Sequence, residues 1–190
     1  MNTSSDNFSP IPEPFHSFKT DGPFTHCIEC EKYLLDGEDY MIEKACRQYP
    51  GFKATDVIFD CAICMECAMN MQKDISEESK QTMQSFLGNH FNSSRRQALV
   101  RENRDDNALI EECLVSGKKK SDCNEYQIFA LCKGGVINPQ FRPYMISGEA
   151  LEQLTEMLSA KTKENLGGFF NKHFSPDPDL VGQDPRLVIF

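Results

Sequence analysis

The alternation of apolar and polar positions divides the chain into two patterned stretches with a polar one between them. In the first, Tyr33-Leu-Leu precedes Asp36-Gly37, and Tyr40-Met-Ile-Glu-Lys-Ala-Cys46 follows as a return strand. The glycine tolerates the positive φ that a tight hairpin needs. A Tyr49-Pro-Gly turn then leads to Asp56-Val-Ile-Phe-Asp-Cys61, which is rich in β-formers. Cys64-Met-Glu-Cys67 opens a helix that runs through Ala68-Met-Asn-Met-Gln-Lys. A second helix is predicted after Ser76, a good N-cap, with Met83, Phe86, Leu87 and Phe91 on one face. Residues 93–108 carry Arg95, Arg96, Arg101 and Arg104 and then turn acidic, which predicts a solvated linker or exposed helix.

The ends lack this periodicity. Residues 1–23 mix Ser, Asn and Pro with isolated aromatics and read as a flexible arm. Phe8, Phe15, Phe18 and Phe24 either dock on the body or stay loosely packed. Residues 175–190 read as an extended tail, ending in the strand-like Arg186-Leu-Val-Ile-Phe190, which would pair with a sheet edge in this chain or a partner.

The second stretch, residues 109–174, repeats the first, residues 24–92. At an offset of 86, Cys27 falls on Cys113, Tyr40 on Tyr126, Ile42 on Ile128 and Cys46 on Cys132. After a gap the offset becomes 83, and Ser79-Lys80 falls on Thr162-Lys163. Phe86-Leu-Gly-Asn-His-Phe91 then falls on Phe169-Phe-Asn-Lys-His-Phe174. Matched apolar positions across one gap point to an internal duplication.

Composition narrows the function classes. A net charge of −9 disfavours non-specific binding to nucleic acid or anionic membranes. No run approaches the length of a membrane span, and the first residues lack a secretory signal, so a cytoplasmic location is expected. In a reducing compartment nine cysteines are better read as metal ligands or buried thiols than as disulfides.

Cys27, Cys30, Cys64 and Cys67 form two C-x-x-C pairs, one on a turn and one at a helix start. Such pairs close a tetrahedral site around Zn²⁺, and four thiolates leave no position open to water, so the expected role is structural. In the repeat only Cys113 remains; Ser116, Ser147 and Ala150 stand at the other places. That copy is expected to fold without metal, on a stripe of Leu151, Leu154, Met157 and Leu158. Cys61-x-x-Cys64-x-x-Cys67 leaves an iron–sulfur ligand set open as an alternative, although no Cys-Pro follows. Cys46 and Cys132 read as core thiols, His26 as a residue orienting the knuckle, and His90 and His173 as structural histidines near helix ends. No phosphate-binding loop or hydrolase motif is present.

A C-x-x-C knuckle, a β-hairpin and a second C-x-x-C leading into a helix resemble the treble-clef class of zinc fingers over residues 25–72. The 33 residues between the pairs exceed the minimal hairpin and require an additional excursion. The resemblance implies a fold more firmly than an activity. The expected architecture is therefore α+β: two tandem treble-clef-like modules, the second a degenerate copy without metal ligands. The expected function is a non-catalytic protein-interaction adaptor or regulator built on structural zinc, with an unidentified protein partner. One alternative is an iron–sulfur or thiol redox protein using Cys61, Cys64 and Cys67. Another is a nucleic-acid binder using Arg95 to Arg104 or Lys118 to Lys120.

Overall fold

A computed structural model describes residues 9–49, 51–52, 54–91, 93–102 and 105–174. Phe8, Arg104 and the 175–190 tail lie outside the described residues. The chain is mixed α/β, with one antiparallel sheet and, among the described residues, five α-helices. Strand β1 (Asp39–Gln48) is central. It pairs on one side with β2 (Thr55–Cys64) and on the other with β3 (Glu125–Lys133). The short β4 (Val136–Ile137) and β5 (Tyr144–Ser147) both pair with β3. Helices α1 (Met65–Lys73) and α2 (Glu77–His90) follow β2, and α4 (Gly148–Met157) and α5 (Ala160–Phe174) follow β5. Helix α3 (Ser93–Glu102), in the expected polar connector, has no buried residue.

The sheet differs from the sequence reading at one turn. Gly37 does have a positive φ of 79°, but Tyr33-Leu-Leu is not a strand and β1 does not return along it. Tyr33 makes a single bridge to His26, and the Leu34 amide donates to Thr25 O at 2.9 Å, so this segment closes the knuckle. The hairpin partner of β1 is β2. The reason is burial: β1 is buried from Tyr40 to Cys46, including Glu43 and Lys44, so both of its edges and both faces are covered. A strand buried on both faces shows no alternation from which to read its partner.

Residues 9–23, read from sequence as part of an arm, pack on this sheet. Pro10 bridges Val136, the Phe18 amide donates to Asp60 at 2.6 Å, and Phe15 is fully buried. Phe18 itself is 74% exposed. The Lys44 ammonium donates to His16 O and lies 3.8 Å from Asp60, tying the same segment to β1 and β2. Burial holds the Lys44 ammonium below its usual range despite the nearby Asp60 carboxylate.

The two patterned stretches meet at the centre of the sheet. In the β1–β3 register Tyr40 faces Cys132, Cys46 faces Tyr126, and Glu43 faces Phe129 between them. A shift of 86 residues carries Tyr40 to Tyr126 and Cys46 to Cys132, so the two outer pairs exchange about the Glu43–Phe129 pair. The helices repeat this relation at the 83-residue offset. Ser76 caps α2 and accepts from Ser79 N, and Ser159 precedes α5 and accepts from Thr162 N. Across the contact, Ser76 N donates to Thr162 Oγ1 at 3.1 Å and Ser159 N to Ser79 Oγ at 3.0 Å. The Ser76 and Ser159 hydroxyls are 2.8 Å apart, and Ser79 and Thr162 are fully buried. Each serine supplies an N-cap for its own helix, and each neighbouring hydroxyl satisfies the backbone amide of the other cap. One apolar core runs through both halves, from Leu34, Ile42 and Ile63 to Ile128, Phe129 and Met145.

Candidate metal centre

The site begins with a tight knuckle. Cys27 N donates to Lys32 O and Glu31 N to Cys27 O, both at 2.9 Å, and Glu31 takes a φ of 59°. Ile28 N donates to Ala62 O at 2.8 Å, which pins the knuckle to the end of β2. There β2 runs directly into α1, so Cys64 stands at the N-cap and Cys67 in the first turn. The sulfur atoms of Cys27, Cys30, Cys64 and Cys67 converge, all within 4.8 Å of one another. The Cys30 and Cys64 sulfurs are 3.7 Å apart. A tetrahedron with metal–sulfur bonds of ~2.3 Å has edges of about 3.8 Å, so this spacing suits a metal ion and is far too long for a disulfide. The four cysteines are free thiols, close enough to bind a metal.

The surroundings act differently on the individual sulfurs. Burial raises the Cys27 thiol, but amides of Cys64, Cys30 and Glu29 oppose this and hold it below its ordinary range. The Cys64 amide lies 3.4 Å from that sulfur. Burial raises Cys64 and Cys67, and so do contacts with their neighbouring thiols, which keep protons in a cluster without a cation. A bound metal reverses this, because a coordinated thiol is deprotonated by the ion's own charge.

Other sequence candidates fall outside the cluster. Cys61 lies on β2 opposite Glu43, is 2% exposed, and is raised well above the ordinary thiol range by burial, Glu43 and Asp60. It is not one of the four converging sulfurs. Cys46 and Cys132 are buried in the sheet beside Tyr126 and Tyr40. His26 stacks edge-on with Tyr33 and its Nδ1 lies 3.0 Å from Thr25 Oγ1. Among the basic residues, Arg95 pairs with Glu112 at 2.7 Å, and Arg96 donates to the Arg142 and Pro143 carbonyls. Lys118 and Lys120 pair with Glu149 and Glu111. No described helix is long and apolar enough to cross a membrane.

The same backbone recurs at Cys113. Cys113 N donates to Lys118 O at 2.8 Å, Gly117 N to Cys113 O at 2.9 Å, and Leu114 N to Met145 O at 2.8 Å. Gly117 has the positive φ that Glu31 has in the first knuckle. The Ser116 and Ser147 amides lie 3.4 and 3.2 Å from the Cys113 sulfur. Burial raises this thiol too, and the serine amides and hydroxyls again outweigh it and lower it. Ser147, at the place of Cys64, caps α4 by accepting from Ala150 N at 3.4 Å. There the place of the Cys64 sulfur is taken by a helix-capping hydroxyl.

Sequence reasoning missed one residue beside the cluster. Glu29 lies between Cys27 and Cys30 and accepts from Lys172 Nζ at 2.5 Å and His173 Nε2 at 2.6 Å. Burial raises this carboxyl, but Lys172 and His173 hold it below the usual carboxylate range. The signal was present in the repeat, where Glu29 falls on the apolar Val115.

No family model, curated protein or solved structure matches this chain.

Proposed function

We propose that the protein is a non-catalytic adaptor or regulator whose first half is a treble-clef-like module stapled by structural Zn²⁺. Its second half is a duplicated, metal-free copy. The observation that carries the metal assignment is the convergence of four sulfurs within 4.8 Å at a spacing that fits Zn–S bonds. A set of four thiolates completes the coordination sphere, so the ion would hold the knuckle to α1 and offer no open position for substrate. The duplication rests on hydrogen bonds that recur at the sequence offsets, from the Cys27 and Cys113 knuckles to the reciprocal serine caps. We base the reading of a cytoplasmic adaptor with a protein partner on the net charge of −9 and on a site that would supply rigidity rather than chemistry.

Metal analysis with an absorbance spectrum, on protein purified without oxygen, tests this. One zinc per chain, no visible band and loss of fold in chelator are expected. A metal-free protein whose far-UV spectrum is unchanged by chelator would remove the proposal. Iron with a visible band would replace zinc and bring the redox reading forward.

A further inference from the structure

The metal knuckle holds more than a metal site. Glu29, the residue between the two knuckle cysteines, takes Lys172 on one carboxylate oxygen and His173 on the other. Both partners come from the last turn of α5, which belongs to the second half of the chain. On the neighbouring turn faces, Phe170 and Phe174 pack on Phe59 of β2, with ring centroids 5.5 and 4.9 Å apart. The end of α5 therefore reaches across to the four-cysteine module by an ionic contact and an aromatic one.

The other half lacks this latch. Val115 replaces Glu29, Arg142 falls at the place of Phe59, and Asn89-His90 at that of Lys172-His173. His90 bonds back to Phe86 O at 2.8 Å within its own helix. Leu87 and Phe91, the counterparts of Phe170 and Phe174, are 39% and 38% exposed. In a framework that otherwise repeats, the latch is found on the one knuckle that has four thiols.

We infer that metal occupancy of the four-cysteine centre and docking of the α5 C-terminus are coupled, so that loading the centre seats the helix end and emptying it releases the helix end. This inference rests on the metal assignment above. Two physical terms connect the events. The metal ties the knuckle to α1 and so fixes the backbone that presents Glu29. Four thiolates on a divalent cation leave a negative centre, next to which a carboxylate is tolerated better when the Lys172 ammonium offsets its charge and His173 donates a hydrogen bond to it. Coupling between binding events is reciprocal, so undocking α5 must weaken the metal.

The test works on the full chain from both directions. Hydrogen exchange compares metal-loaded with chelator-treated protein; residues 168–174 are expected to lose protection while residues 160–166, anchored by the serine caps, keep theirs. Because chelation can unfold the whole first half, the second arm leaves the cysteines intact. Zinc affinity of Lys172→Ala/His173→Ala is measured by competition with a chromophoric chelator and is expected to fall about tenfold, within the usual range of coupling. His90→Ala on the other half serves as control and is expected to leave affinity unchanged. An affinity for the double variant within twofold of the original overturns the coupling while leaving the metal assignment intact. An original protein that takes up no zinc overturns both.

Discussion

The Cys27 and Cys113 knuckles have nearly the same backbone but different means of holding it. Each is closed by the same two amide–carbonyl bonds and tied to the strand before its helix by a third. Around Cys27 three further sulfurs converge. Around Cys113 the third position caps α4 with a serine hydroxyl, and the fourth is Ala150, packed in the core. Leu151 and Leu154 of α4 and Leu158 at its C-cap are buried, although Met157, expected on the same stripe, is 47% exposed; in α1 only Ala68 is buried. The comparison sets a knuckle beside four converging thiols, close enough to bind a metal, against one beside a capped helix with a fuller apolar face. The second arrangement is open only where the helix supplies large side chains.

The strongest way to break this comparison is to remove one sulfur from each knuckle. Cys27→Ser should abolish metal uptake and disorder the first half, because structural zinc contributes on the order of 10 kcal/mol to small metal-dependent modules. Cys113→Ser should keep the metal content of the original chain and lose about 1 kcal/mol, the scale of one buried hydrogen-bonding contact. Metal content and urea unfolding measure both. Equal effects would show that the two knuckles do not differ in the way described.

The converse substitution sharpens the comparison. Ser116→Cys, Ser147→Cys and Ala150→Cys together restore every ligand position on a backbone that already presents Cys113. Metal content should rise by one ion per chain, read by mass spectrometry of the native protein. An unchanged content in a folded variant would mean that the second knuckle resembles the first in hydrogen bonding but not in sulfur geometry.

Much of this contrast was legible in the sequence. The C-x-x-C pairs pointed to the four cysteines that converge, the offset alignment placed Ser116, Ser147 and Ala150 opposite three of them, and Ser76 marked the start of α2. Three features were not. The partner of β1 was hidden because Glu43 and Lys44 are buried along with their apolar neighbours, which erases the strand alternation. The stripe on α2 was only half right, since Phe86 is buried while Leu87 and Phe91 are partly exposed. Their repeat counterparts Phe170 and Phe174 are covered by Phe59, a contact from the opposite half. The Glu29 latch also depends on residues more than 140 positions apart, beyond any local pattern. What stayed illegible is how the halves cross.

That crossing supports a further prediction. Phe59→Ala removes the ring on which Phe170 and Phe174 rest and should cost about 3 kcal/mol, the usual scale for a buried aromatic. Arg142→Ala, at the equivalent position, loses instead its contact with the buried Asp106 carboxylate at 2.5 Å. Because that contact involves neither Phe59 nor Glu29, which meet the α5 end, α5 should remain docked, and exchange at residues 168–174 should rise only in the Phe59 variant. Matching exchange profiles would mean that α5 is held by the sheet as a whole and not by this face of β2.

The smallest expected effects lie where the halves are most alike. Ser79→Ala removes the acceptor for Ser159 N, and Thr162→Ala removes the acceptor for Ser76 N. Each leaves one amide beside a helix start without its partner, at a cost of about 1–3 kcal/mol. The two costs should agree to within about 0.5 kcal/mol if the contact is as symmetric as its distances. Thr162→Ser keeps the hydroxyl and should recover most of the loss. In the double variant the remaining Ser76 and Ser159 hydroxyls, 2.8 Å apart, can still bond each other, so the combined cost should fall below the sum. Urea unfolding of the four variants and the original chain at saturating metal separates these terms. A large cost confined to one side would show that a single helix start depends on the other, and that the reciprocal caps do not act as a symmetric joint.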